Sequence, residues 1–162
     1  MATDYLLEIE GIKGESLDHK HKSAIEIESF SWGNSNDGSA AHGTGAGTGK
    51  VHFQDFHATT YVNKASAELM LACASGKHIK KAQLFVRKQG ENQQDYYVVT
   101  LEELIVSSYQ SGGSSGSTHL PTDQFSLNFS KVKFEYKGQK ADGTLEAPVT
   151  GGWDLKANKK AG

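Results

Sequence analysis

The chain has 162 residues, a mass of 17.5 kDa and a formal net charge of −2. That length suffices for a real core, and a single domain over residues 1–162 is the natural expectation. The charge argues against a nucleic-acid binder, which needs a basic stripe. A lone cysteine, Cys73, leaves no disulfide to form within the chain.

The opening stretch MATDYLLEIEGIKGE has no basic start followed by an apolar run, so it does not read as a signal peptide. No stretch approaches the roughly 20 apolar residues of a membrane span, and no membrane insertion is expected. The expectation is a protein made in the cytoplasm that leaves, if it leaves, without a cleavable leader.

In chain order, Tyr5 to Ile12 alternates Tyr5, Leu7 and Ile9 against Leu6, Glu8 and Glu10, a half-buried strand closed by a turn at Gly11 and Gly14. Ser16 to Lys22 is polar and loop-like. Ala24 to Trp32 is the second strand. It carries Ile25 and Ile27 in one phase but Phe30 and Trp32 in the other, and a bulge near Ser29 would reconcile them. Gly33 to Gly49 holds six glycines and no large apolar residue, which predicts a long Gly-rich loop over 34–50. Val51 to Tyr61 returns to strand.

Residues 66–76 are the one convincing helix. Ser66 is the predicted N-cap, Glu68 suits the positive end of the dipole, and Gly76 supplies a left-handed stop. Leu69, Met70, Ala72 and Cys73 form its predicted apolar stripe, with Cys73 as core packing. At about 1.5 Å per residue the helix is too short to persist alone and must lie on the strands around it.

Ile79 to Lys88 is strand, Gln89 to Gln94 a hairpin tip, and Tyr96 to Tyr109 the long return strand. LEELIV inside it has helical spacing, but the preceding YYVVT and the hairpin context favour strand. Ser111 to Thr118 is a Gly/Ser linker. Gln124 to Lys137 shows a second change of apolar phase, from Phe125, Leu127 and Phe129 to Val132, Phe134 and Tyr136. Leu145 to Leu155 is the last strand, anchored by Trp153. Short strands with regular turn signals and one helix imply a mainly β fold, an antiparallel barrel or sandwich with a short lateral helix. The two phase changes put large side chains on both faces. That surplus suggests an outer face covered by the helix and by another subunit.

Chemistry is hard to find. GTGAGTGK resembles a phosphate-binding loop, but Thr44 stands where its first glycine belongs and Val51 where a magnesium-holding hydroxyl belongs; a strand follows in place of a helix. His52, Asp55 and His57 have metal-like spacing, yet strand geometry sends His52 to the opposite face from the other two. Asp18, His19 and His21 share a loop with Lys20 and Lys22, whose charges oppose a cation. No nucleophile elbow and no carboxylate pair stands out. The expectation is no enzyme, no metal and no cofactor. Ser29 and Ser31 alternate with Phe30 and Trp32, so both face outward or line a polar channel.

Five segments, in order, carry a resemblance: GIKGES (Gly11–Ser16), SFSWG (Ser29–Gly33), YVNKAS with LACASGKHIKKA (Tyr61–Ala82), LPTDQFSLNFSKV (Leu120–Val132) and GGWDLKANKK (Gly151–Lys160). They resemble the haemolysin-coregulated proteins, Hcp, the tube proteins of bacterial type VI secretion. The family's usual proline at the first helical position is Ala67 here, which still lets a helix start. The resemblance implies a barrel with one lateral helix, six copies in a ring, and rings stacked into a hollow tube. A contractile sheath expels that tube with its spike, and effector proteins travel in the lumen. On this reading Ser29 and Ser31 line the lumen. Gly43, Gly45 and Gly47 of the Gly-rich loop, with Gln89, Gly90 and Glu91 of the hairpin tip, make the contacts between rings. The competing expectation is a monomeric β-sandwich that binds a glycan or a protein.

Overall fold

Tyr5, Leu7 and Ile9 point one way from the first strand and set the pattern for the interior of the whole sheet. The computed structural model describes residues 3–36, 51–88, 93–116 and 118–162. Its elements are β1 (Thr3–Ile9), β2 (Ile25–Glu26), β3 (Ser29–Ser35), β4 (His52–Tyr61), α1 (Ser66–Ser75), β5 (Ile79–Lys88), β6 (Asp95–Gly112), β7 (Thr122–Tyr136), β8 (Val149–Asp154) and β9 (Lys159–Lys160). The strands pair antiparallel in the order β2-β1-β5-β6-β7-β4-β3, with β8 beside the second half of β7 and β9 beside β8. LEELIV is strand, inside β6.

The predicted second strand is two strands. Between them, the Ile27 N–H donates to Tyr5 O of β1 at 2.9 Å and the Glu28 N–H to Thr59 O of β4 at 2.8 Å. The chain thus steps from one end of the sheet to the other within two residues. The ladder itself does not close, and the fold is sandwich-like. This step, not a bulge at Ser29, turns Ile25 and Ile27, then Phe30 and Trp32, all toward the core. The bulge lies across the way, on β4: Ser31 pairs with His57 and Gly33 with Gln54, so two steps along β3 match three along β4.

The second phase change is shared by three strands. Ile79, Leu104 and Phe129 form one cross-strand row and Ala82, Leu101 and Val132 another, and all six side chains are buried. Members of each pair are three residues apart, where a flat strand would allow two or four. The extra residue appears in β5, β6 and β7 at the same level, with Glu103 at φ 51° in the middle strand. The sheet therefore turns a corner there. Its effect on the expected apolar surplus is direct. Phe125, Leu127, Phe129 and Val132 all go inside, so the two phases do not leave a wholly apolar outer wall. Among the described residues, the large apolar side chains that stay outside are Leu17, Tyr61, Val62, Met70, Leu71, Ile105, Leu120, Tyr136 and Val149, with Tyr136 and Val149 paired across β7 and β8.

Helix α1 packs on β6 through Leu69 and Ala72, with Cys73 half-buried against the core. Met70 faces solvent, so the predicted stripe is narrower by one residue. The N-cap is Ala65, without a side-chain cap, one residue before the expected Ser66. Asn63 supplies part of the missing capping, since its Oδ1 accepts the Ala65 N–H at 2.8 Å. Ser66 Oγ accepts the Asn63 N–H at 2.9 Å and donates to the fully buried carboxylate of Asp123, which also accepts from Tyr109 Oη–H at 2.8 Å. The side chain that looked like a cap is a bolt between helix and sheet. Gly76 ends the helix at φ 62° as expected.

Candidate functional site: a neutral polar wall

Beyond the corner, the outward face of β6, β7, β4 and β3 carries mostly uncharged polar side chains, with His57, Ile105 and the Asp55 carboxylate among them. Two cross-strand rows run over it: Ser108–Ser126–His57–Ser31 and Gln110–Gln124–Thr59–Ser29. Alternation creates the wall, because Phe30, Phe56, Ala58, Phe125 and Leu127 take the other face. Ser29 and Ser31 are both exposed, as the sequence implied, and they edge a depression of about 500 Å³ with His57, Thr59, Gln110 and Gln124.

Two bulges shape the wall from either side of β7. On β4 the extra residue falls beside Asp55, and on β6 a register shift between Val106 and Ser108 leaves Ser107 unpaired. The two bulges meet: Ser107 Oγ–H donates to Asp55 Oδ2 at 2.7 Å, and Asn128 Nδ2–H donates to Asp55 Oδ1 at 2.8 Å. The hydroxyls of Ser107 and Ser108 both lie against that of Ser126, whose side chain is thereby covered. Asp55 is thus held by two neutral donors, one on each carboxylate oxygen. The β4 bulge changes the phase of the strand, so His52 is exposed like Gln54 and His57 while Phe53 and Phe56 pack on the core, and the strand alternation that sent His52 to the opposite face does not hold. Among the described residues no group of His, Cys, Asp and Glu is placed to hold a metal.

On the other side of the corner the outward face changes character. One row crosses five strands as Lys81–Glu102–Lys131–Asp154–Lys159, alternating in sign at every step. Only Lys131 and Asp154 approach as an ion pair, at 3.9 Å. Beside the row, His78 bonds Glu103 and holds its carboxyl below the usual range. Asp154 is likewise held low, chiefly by the Ala157 N–H.

One ionic cluster was hidden in the sequence. Asp18 Oδ1 accepts the N–H groups of Lys20 and His21, fixing the loop as an Asx turn. Its other oxygen takes the buried guanidinium of Arg87, which also faces Asp4 at 3.6 Å. That hydrogen bond from Arg87 holds the Asp18 carboxyl well below the ordinary carboxylate range. His21, 5% exposed, stacks on Phe85 at 4.2 Å, with Nδ1 3.1 Å from Glu8 and Nε2 2.9 Å from Asp95. The partners stand up to 74 residues away in the chain, and no local spacing announces them. Gly43, Gly45, Gly47, Gln89, Gly90 and Glu91, expected at ring contacts, lie outside the described residues.

Comparison with known proteins shows the family of the chain. The family described as "Type VI secretion system effector, Hcp" matches residues 6–136. Protein hcp1 of Pseudomonas aeruginosa is 45% identical over 163 aligned positions, covering 99% of this chain and all of that protein. The chain belongs to the Hcp family. Solved structures agree. One called "Structure of a type six secretion system protein" superposes with a TM-score of 0.93 at 30% identity, covering 99% of this chain and 100% of the other. Hcp1 from Salmonella typhimurium superposes with 0.80 at 36% identity, with the same coverage. Hcp proteins are secreted structural proteins of the type VI system and not enzymes, and this Hcp chain is one of them.

Proposed function

We propose that the chain, as one domain, is the tube subunit of a type VI secretion system. Six copies close into a ring, rings stack into a hollow tube, and a contractile sheath drives that tube outward with its spike. Effector proteins ride in the lumen. The subunit is made in the cytoplasm and then exported. The observation that carries this reading is the 45% identity to an Hcp protein across the whole of both chains.

The neutral wall supports a more specific role for Ser29 and Ser31. A lumen that must pass folded cargo of varied sequence cannot bind any one charge pattern tightly. Serine, threonine, glutamine and asparagine exchange hydrogen bonds with water or cargo at nearly equal free energy. We therefore assign this wall to the lumen. Stacking contacts are assigned to Gly43, Gly45 and Gly47 and to Gln89, Gly90 and Glu91. A closed ring needs head-to-tail contacts, whereas stacking stays open-ended.

Native mass spectrometry of the purified chain tests the assembly. A species of six times 17.5 kDa is expected, and solitary chains at every concentration would refute it, leaving a monomeric binding module. For the lumen, Ser31→Arg should reduce effector carriage with ring mass unchanged. Carriage equal to the native protein would place Ser31 elsewhere. Deletion of residues 43–47 should leave rings but remove tubes in electron micrographs.

A further inference from the structure

The polar segment from Ser16 to Ser23 lies as a strap on the outward face of β1 and β5. Its base is closed by backbone alone: the Ser23 N–H donates to Ser16 O at 2.8 Å, and the Gly14 N–H to Ser23 O at 2.8 Å. On the same face Leu6 and Phe85 are cross-strand partners, on the side of β1 away from Tyr5 and Leu7. Leu6 is nevertheless 4% exposed, and the His21 ring stacks on Phe85. The middle of the strap is held by charge. His21 faces Glu8 of β1 through Nδ1 at 3.1 Å and Asp95 of β6 through Nε2 at 2.9 Å. Arg87 of β5 bonds Asp18, faces Asp4 of β1 and pairs with Asp95 in the β5–β6 ladder. Lys20 Nζ–H donates to Gln93 O at 3.0 Å.

A neutral imidazole has one N–H and one bare nitrogen, whereas a carboxylate only accepts. With a neutral ring, one of the two contacts of His21 would set a lone pair against a carboxylate oxygen. Both contacts are hydrogen bonds only when both ring nitrogens carry protons. An imidazole is more basic than a carboxylate, so the second proton rests on the ring and not on Glu8 or Asp95.

We propose that His21 is a proton-operated latch: as an imidazolium it ties the strap to β1 and β6, and loss of one proton releases the middle of the strap while its base stays closed. The sign follows from the contacts. The second proton belongs to the latched form, so the strap is protected at mildly acidic pH and loosens as pH rises through the range in which imidazoles ionise. Asp18 and Arg87 keep their charges over that range, so their pair holds the strap equally on either side of it. The latch rests on contacts within one chain and stands whether or not rings form.

Two measurements on the full chain test it. Nitrogen-15 spectra of the histidine rings at about pH 7 should show both nitrogens of His21 protonated, and a bare nitrogen there overturns the proposal. Amide exchange in the strap, corrected for its intrinsic pH dependence, should quicken about tenfold from about pH 6 to about pH 9 relative to β7. Glu8→Gln offers a neutral ring a donor for its bare nitrogen and should remove most of that dependence. Asp18→Asn should loosen the strap by a similar factor at both pH values and leave the dependence in place. Strap exchange that keeps pace with β7 at both pH values overturns the latch. So does a pH dependence that Glu8→Gln leaves intact, and so does one that Asp18→Asn removes.

Discussion

β6 and β7 run through both halves of the molecule, and the two halves present opposite surfaces. Before the corner at Glu103 their outward residues join a row of alternating lysines and carboxylates. Beyond it they carry serine, glutamine and asparagine. The inward side is the same throughout: Val99, Leu101, Leu104 and Val106 on β6, and Phe125, Leu127, Phe129 and Val132 on β7, all buried. What differs is only what water or a partner sees. The shared inner face carries the core, and the two halves differ in what they present to solvent.

The comparison can be broken hardest at the corner. Leu104→Ala removes a fully buried side chain where three strands bend together, and about 2–5 kcal/mol of stability should go with it in urea unfolding. Both halves should unfold in one transition. Two transitions would mean that the corner separates independent units.

Next in size is the bolt under the helix. Asp123→Ala deprives Ser66 and Tyr109 of a buried acceptor and should cost about 3 kcal/mol. Amide exchange in Ser66–Ser75 should rise before that in β6. Burial, with the Asp123 carboxylate beside it, pushes the Tyr109 hydroxyl above its ordinary value. Ultraviolet titration of the native chain should show that late ionisation, and the Asp123→Ala variant should show it reduced.

The Asp18–Arg87 pair gives a pH signature. Its carboxyl sits lower when folded than when unfolded, so its contribution is complete above about pH 4 and is lost as pH falls further. Asp18→Asn should therefore be less stable at neutral pH yet lose less on acidification. An unchanged acid slope would assign acid sensitivity to other carboxylates.

The smallest effects are expected on the two outer faces, and they differ in kind. Lys131→Ala should cost about 0.2–1 kcal/mol at low salt and almost nothing at high salt. Ser29→Ala should stay within about 0.5 kcal/mol at any salt. If the serine change proved salt-dependent, the neutral wall would not be neutral in effect.

Much of this was legible beforehand, for physical reasons. Tyr5, Leu7 and Ile9, or Phe125, Leu127 and Phe129, alternate because one face is dry, and that period survives in any antiparallel sheet. Ser29 and Ser31 could be placed outward for the same reason. LEELIV was ambiguous because Leu101 and Leu104 are both buried three residues apart, the spacing of a helix produced here by a corner. The sequence shows that the phase changes, and only the paired strands show how: a two-residue step at Ile27–Glu28 in one case, a concerted bend in the other. Ser66 looked like a cap because caps and buried hydroxyls use the same residue. The cluster around Arg87 was invisible because its members meet only after four elements have packed.

The corner at Glu103 also has a mechanical side. β6 spans 18 residues and β7 spans 15, and neither is interrupted where the sheet folds over. A thrust applied to the charged half reaches the polar wall through two covalent backbones joined by a ladder of hydrogen bonds. A load on one half therefore passes to the other along two continuous strands and does not have to cross a loop.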